Sequence, residues 1–169
     1  MTRDKNLVLA RLFTRFTILG RVWSKFARIP ASEGVPWAPV NRPLELSRVC
    51  LITTAGLHPI GDKPFNMADK DGDPTYRTIP ATARQQELTI THDYYDHRDA
   101  DRDFNIVFPL ERARELAAAD CLGGLISKHY SFMGHIDGQH VEALQHEVLP
   151  ALVRELTEAE PDFVFLTPA

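Results

Sequence analysis

The run Arg48-Val49-Cys50-Leu51-Ile52-Thr53-Thr54 decides the fold. It is short, β-branched and apolar at successive positions, without the alternation of a strand that has one wet face. Such a run reads as a strand buried on both faces, the condition of a parallel sheet covered by helices. Ala55-Gly56 closes it, and 57–81 follows as a long irregular stretch rich in Gly, Pro and Asp. Leu88 to His92 reads as a second strand and Phe104 to Phe108 as a third apolar patch. Pro109 stands where a helix can begin, because the first helical position needs no N–H donor. Leu110, Ala113, Leu116 and Ala117 give that helix an apolar face, and Gly123-Gly124 ends it. Leu125-Ile126 reads as a short strand and 129–135 as a loop. The clearest helix covers 138–159, where Val141, Leu144, Val148, Leu149, Leu152 and Leu156 recur at helical spacing and Pro150 predicts a kink or break. Asp162 to Thr167 is again a buried-type strand. Strands alternating with helices predict an α/β fold with a mostly parallel sheet of Rossmann/flavodoxin-like type. Ligands of such sheets bind outside the carboxyl ends of the strands. The sequence stops there, so the sheet is expected to be incomplete at its C-terminus.

Upstream of this domain (44–169), residues 30–43 carry Pro30, Pro36, Pro39 and Pro43 and read as a linker. Residues 1–29 read as a basic amphipathic helix. Leu9, Leu12, Phe13, Phe16, Leu19, Trp23 and Phe26 follow helical spacing, interrupted by Arg11, Arg15, Arg21 and Lys25. The arginines rule out a secretory core and no apolar run is long enough to span a membrane. The helix either packs on its own or a sister subunit or docks on a partner or membrane surface. The 169 residues suffice for one domain with a core, with 44% apolar and 25% charged residues and a net charge of −4. That balance gives no basic footprint for nucleic acid. The two cysteines, Cys50 and Cys121, form neither a disulfide framework nor a zinc pattern.

The densest polar constellation is 91–103, with five aspartates and two histidines directly after a strand. Three readings stay open. His92, Asp93, Asp96 and His97 suit a transition metal. The segment equally suits a loop that anchors a charged substrate. It also suits a solvated turn whose Asp side chains cap backbone N–H groups. Asp69-x-Asp71-Gly72-Asp73 fails the calcium-loop template, since its glycine is misplaced and Pro80 stands at the twelfth position. Gly56 is a point where a ligand can approach a strand end, with His58 close by, but no dinucleotide fingerprint surrounds it. His129 and His135 flank a loop with Gly134, and no Ser-His-Asp or Cys-His constellation is present.

Several of these stretches together resemble a known family. They are Pro36-Trp37-Ala38-Pro39, Ser47-Arg48-Val49, Thr53-Thr54-Ala55-Gly56-Leu57-His58 and Gly61-Asp62-x-Pro64-Phe65. Gly72-Asp73-Pro74-Thr75-Tyr76-Arg77 extends the match, as does His92-Asp93-x-Tyr95-Asp96-x-x-Asp99-Ala100-Asp101-x-Asp103-x-Asn105-x-Val107-Phe108-Pro109. His129 to Gly134 and Phe165-Leu166-Thr167-Pro168 complete it. The sequence resembles the selenoprotein B subunits of glycine/sarcosine/betaine/D-proline reductases. The resemblance implies a cytoplasmic oxidoreductase of amino-acid metabolism that cleaves a carbon–nitrogen bond of a small amine or amino acid. Electrons would come from a dithiol, with other reductase subunits or a thioredoxin-like donor as partners in a homo- or hetero-oligomer. It implies no further cofactor, but a selenocysteine immediately after Ala169. The expected catalytic residues are His92, Asp93 and Asp96. The expected substrate-binding residues are Gly56, His58, Asp99, Asp101, Asp103, Asn105, His129 and His135. The rival expectations are a non-catalytic binding or assembly module and a metal-dependent hydrolase built on the His/Asp-rich loop.

Overall fold

The structure, a computed structural model, describes residues 3–15 and 38–169. Strand β1 (Arg48–Thr53) is its axis, and its alternate residues go into two separate cores. Val49 and Leu51 join the core under helix α2 (Leu110–Ala118), with Phe104, Phe108, Leu110 and Ala113. Cys50 and the half-buried Ile52 join Ile126, Tyr130 and Leu152 on the opposite face, under the helix that ends with α4 (Leu149–Ala159). The sheet is thus sandwiched between helices, as the unbroken apolar run of β1 requires.

Beside β1 lie β5 (Gly124–Leu125) and β6 (Lys128–Ser131), both parallel to it, and on its other side lies β7 (Phe163–Thr167), also parallel. A fifth strand, β3 (Arg77–Pro80), adds antiparallel to β6, with Thr78 opposite Tyr130. The fold is therefore mixed α/β with a mostly parallel, open sheet. The start of β7 is clamped to β1. The Asp162 carboxylate accepts the Arg48 N–H at 2.7 Å, and the Arg48 guanidinium donates to the Glu160 carbonyl at the end of α4 at 2.8 Å.

Four expectations need correction. Residues 129–131 are not a loop: they belong to β6, hydrogen-bonded on both sides, because their neighbours β1 and β3 come from distant sequence. Leu88–Ile90 (β4) does not enter the main sheet. It pairs antiparallel with β2 (Leu57–Pro59) in a separate ribbon that gives order to the start of the stretch read as irregular. The rest of that stretch is pinned by Arg77, whose guanidinium donates to Lys63 O at 2.6 Å and Pro64 O at 3.1 Å and lies 4.3 Å over the Phe65 ring. The long C-terminal helix is not broken at Pro150. From α3 (Gln139–Ala143) it passes through a π turn (Leu144–Val148), where the Leu149 N–H reaches Leu144 O, and continues as α4. The wider turn falls next to the proline that lacks a helical donor. Finally, β7 is apolar but not buried: Val164, Phe165 and Leu166 are 38%, 47% and 68% exposed.

At the N-terminus, the described helix α1 runs Arg3–Arg15; the expectation for 16–29 and most of the linker lies outside the described residues. Ala10 is buried, whereas Val8, Leu9 and Leu12 are exposed. Thr14 lines a cavity of about 230 Å³ with Asp96, Arg98, Asp99 and Arg102, which sets α1 against the Asp-rich segment.

The β1–β6 ladder contains a side chain. Ile126 N–H bonds to Val49 O and Phe132 N–H to Thr53 O, but between them the Leu51 N–H finds no carbonyl. It donates to His129 Nδ1 at 3.1 Å. Burial holds the His129 pKa down at about 4, so the ring is neutral and Nδ1 stays an acceptor. Replacing His129 with Leu strands a buried N–H and should cost about 1–3 kcal/mol in denaturant unfolding. His92, likewise depressed to about 4 by burial, adds to a pH effect. Both rings are neutral when folded and titrate near pH 6.5 when unfolded. Their contribution to stability is full above pH 6.5 and is lost as pH falls towards 4, by up to about 1.4 kcal/mol per pH unit and histidine. Unfolding measured from pH 8 to 4 should show this decline, and a His92→Asn/His129→Asn double variant should flatten it.

Candidate functional site

The parallel strands deliver their carboxyl ends to one place. Thr53 and Thr167, the last residues of β1 and β7, both donate hydroxyl hydrogen bonds to Val107 O, at 2.8 and 2.6 Å. The loop before α2 is thereby tied to the end of the sheet. Thr54 follows, its N–H on Thr167 O at 3.1 Å and its hydroxyl accepting from Ala169 N at 3.2 Å. Gly56 bonds to Phe132 O through its N–H and accepts from Thr91 N through its carbonyl. Segments 53–56, 91–97, 132–135 and 167–169 meet here.

Two glycines make that meeting possible. Gly56 has φ +69, and a Cβ there would lie 2.6 Å from Thr91 O and 2.9 Å from His92 Cβ. What approaches this glycine in the structure is the chain itself. Gly134 has φ +86, and a Cβ there would meet Thr54 O at 2.6 Å and His92 Nε2 at 3.4 Å. Both positions need a residue without a side chain.

His92 sits between them and is 5% exposed. Its Nδ1 accepts the Tyr94 N–H at 3.1 Å, which leaves the hydrogen on Nε2, beside Gly134 and Thr54. Burial, aided by the like charges of His135 and His97, lowers its pKa to about 4. At pH 7 only about one ring in a thousand is cationic, so Nε2–H is a standing hydrogen-bond donor and not a reservoir of protons. Rings surround it. Tyr95 packs edge-on at 4.8 Å and gives its hydroxyl to Ala55 O at 3.2 Å, and Tyr94 stacks on His135 at 4.1 Å. His135 is fixed from its other side by Lys70 O, 2.8 Å from Nε2. Asp93, 2% exposed, completes the buried group.

The structure thus brings together Gly56, His92, Asp93 and His135 and disperses the rest. Asp96 turns to Arg98 in a fork of 2.6 and 2.8 Å contacts that holds its carboxyl below the usual range. His97 pairs with Asp101 at 2.7 Å and Asp99 with Arg102 at 3.0 Å. Asp103 caps the turn Phe104–Ile106, and the Asn105 side-chain carbonyl accepts the Glu111 and Arg112 N–H groups at the start of α2. His58 is 3% exposed and bonded at both nitrogens, to Pro59 O and Thr91 Oγ1, each at 2.8 Å. His129 lies within the ladder. Among the described residues, no three His, Cys, Asp or Glu side chains are placed to hold a metal ion. Sequence reasoning passed over Thr54, Tyr94 and Tyr95. The tyrosine pair inside a polar segment was the available signal for a ring wall, whereas Thr54 is singled out only by its place at the end of the central strand.

If Gly134 keeps Thr54 and His92 in position, Gly134→Ala should disturb the site more than the fold. His92 and Tyr94 resonances should shift in NMR spectra, with unfolding free energy lowered by about 1–3 kcal/mol. Gly56→Ala, which drives a Cβ into backbone, should cost at least as much stability.

Comparison with known proteins adds context to this geometry. The model of the family described as glycine/sarcosine/betaine reductase selenoprotein B matches residues 15–169. D-proline reductase subunit gamma of Acetoanaerobium sticklandii is 34% identical over 139 residues, which is 82% of this chain and 55% of the relative. The chain therefore spans about half the length of the curated relative it matches. No solved structure matches. Among the described residues, no helix is long and apolar enough to cross a membrane.

Proposed function

Since the chain belongs to the glycine/sarcosine/betaine reductase selenoprotein B family, we propose that it forms the substrate-holding part of a selenol- or thiol-dependent reductase component. The sheet, in this reading, is the core of a flavodoxin-like domain, and the small amine or amino acid sits at its carboxyl edge. The carbon–nitrogen bond of the substrate is cleaved reductively. One hydrogen ends on the carbon and the other on the departing nitrogen. The dithiol that supplies two electrons and two protons ends as a disulfide. Other reductase subunits and a thioredoxin-like dithiol protein are the proposed partners.

The observation that carries this reading is the neutral His92, with its Nε2–H next to Gly134 near the end of the central strand. A neutral N–H donor fits a substrate carboxylate, which it orients without transferring a proton. The flanking rings and Asp93 suit the amine end, because aromatic faces and carboxylates both favour a cation. The protein's own thiols are elsewhere. Cys50 is buried in β1 with its pKa pushed up to about 12, and Cys121 lies between α2 and β5, at the amino end of the sheet. The attacking selenol or thiol is proposed to come from outside residues 1–169. A residue presented just past β7 would face the Thr54 hydroxyl, as the Ala169 N–H does. The ion pairs that occupy Asp96 and His97 favour this reading over a metal-dependent hydrolase on the same loop.

The test uses the assembled reductase containing this chain, supplied with dithiol and offered glycine, sarcosine, betaine or D-proline one at a time. At least one should be cleaved with stoichiometric loss of dithiol. His92→Leu should raise KM about 10- to 100-fold while kcat changes little, the cost of one hydrogen bond to a charged group. His92→Gln, which keeps an N–H near the Nε2 position, should recover part of the loss. Cleavage of none of the four substrates by an intact complex would end the reductase reading. Unaltered kinetics in His92→Leu would remove this residue from it.

A further inference from the structure

Strand β7 pairs on one side only among the described residues, with β1 from Val49↔Phe163 to Thr53↔Thr167. Edge strands in soluble proteins are blunted by charge, proline or a bulge. Phe163-Val164-Phe165-Leu166 has none of these, and three of its four side chains are more than a third exposed. Both faces are involved. Phe165 lies opposite Leu51 and points to the α2 side; there it borders an apolar groove of about 330 Å³ with Leu44, Val49, Leu51, Ala113 and Leu116. Val164 lies opposite Cys50 and, with Leu166, points to the α4 side.

We propose that the free edge of β7 and the groove beside α2 are the seat of an added parallel strand and a separate helix. Both are contributed by the stretch of the family's polypeptide that lies outside the region this chain matches. The sheet's own handedness divides the work. The crossover from β6 to β7 passes over β1 on the α4 face. A right-handed crossover that continues outward from β7 returns on that same face, where it covers Val164 and Leu166. It cannot fill the groove, which is on the opposite face next to α2 and open among the described residues, so the groove is assigned to a helix distinct from that crossover. The relative that this chain matches over 55% of its length has polypeptide to supply both. A second copy of this chain fits less well. Pairing β7 with its twin across a two-fold axis would satisfy the edge but leave two grooves side by side, because α2 packs over β1 and not over the edge.

Amide hydrogen exchange tests this without reading catalysis, so its failure and that of the reductase proposal are distinguishable. The 169-residue chain is compared with intact D-proline reductase subunit gamma over the segment aligned with 163–167. The outward-facing amides of that segment should exchange on the order of 100-fold more slowly in the intact relative, where they are bonded and covered. The 169-residue chain should sediment as a monomer. Equal exchange rates would overturn the proposal. So would slow exchange in the 169-residue chain accompanied by a dimer mass that Leu166→Lys abolishes, which would make a second copy the occupant.

Discussion

The fold depends on the burial of β1 on both faces and both edges. A strand so placed has no access to water, so each of its N–H and C=O groups needs a partner inside the protein. The interrupted ladder towards β5 and β6 would leave the Leu51 N–H without one, and an imidazole fills the gap. The other His129 nitrogen has no hydrogen-bond partner among the described residues, and the ring packs edge-on with Phe108 at 6.1 Å. A buried polar atom without a partner is tolerated because the bond made on the other side of the ring holds the central strand together.

The site inherits its geometry from that strand. Because β1 and β7 run parallel and in register, Thr53 and Thr167 end side by side and converge on a single carbonyl, and Thr54 is left just past the strand end. The antiparallel ribbon of β2 and β4 then brings 91–97 back over Gly56. Only there is the His92 ring buried enough for its pKa to fall to about 4, so that it stays neutral well below neutral pH. The acidic residues that follow go outwards, where Arg98 and Arg102 answer Asp96 and Asp99, and α1 approaches the same surface. A single stretch of sequence thus divides into an inner part of neutral rings and an outer part of ion pairs. Exposed pairs such as Asp99–Arg102 add little stability, so the charge density of the segment is consistent with a surface role.

Chemically, the chain offers hydrogen-bond donors, rings and the buried Asp93 at the carboxyl edge, while its two thiols lie away from them. This separation is what the proposed function requires, with the nucleophile delivered from another part of the assembly. The apolar edge of β7 ends beside Thr54. Under the proposed function, whatever pairs with that edge stands near the substrate as well.

The sequence by itself determined the elements whose signals are local. The apolar run of β1, the face of α2 after Pro109, the long helix before β7, and family-specific residue strings such as His92 to Pro109 were legible because periodicity and composition within a short window carry them. Tertiary structure alone decided which strands share a sheet, that His129 completes a ladder, that Asp103 and Asn105 cap helices, and that His92 is neutral. Each of these outcomes depends on a partner distant in the chain. A histidine's hydrogen bonds, burial and charge are set by its surroundings in space, and the residues beside it in sequence do not encode them.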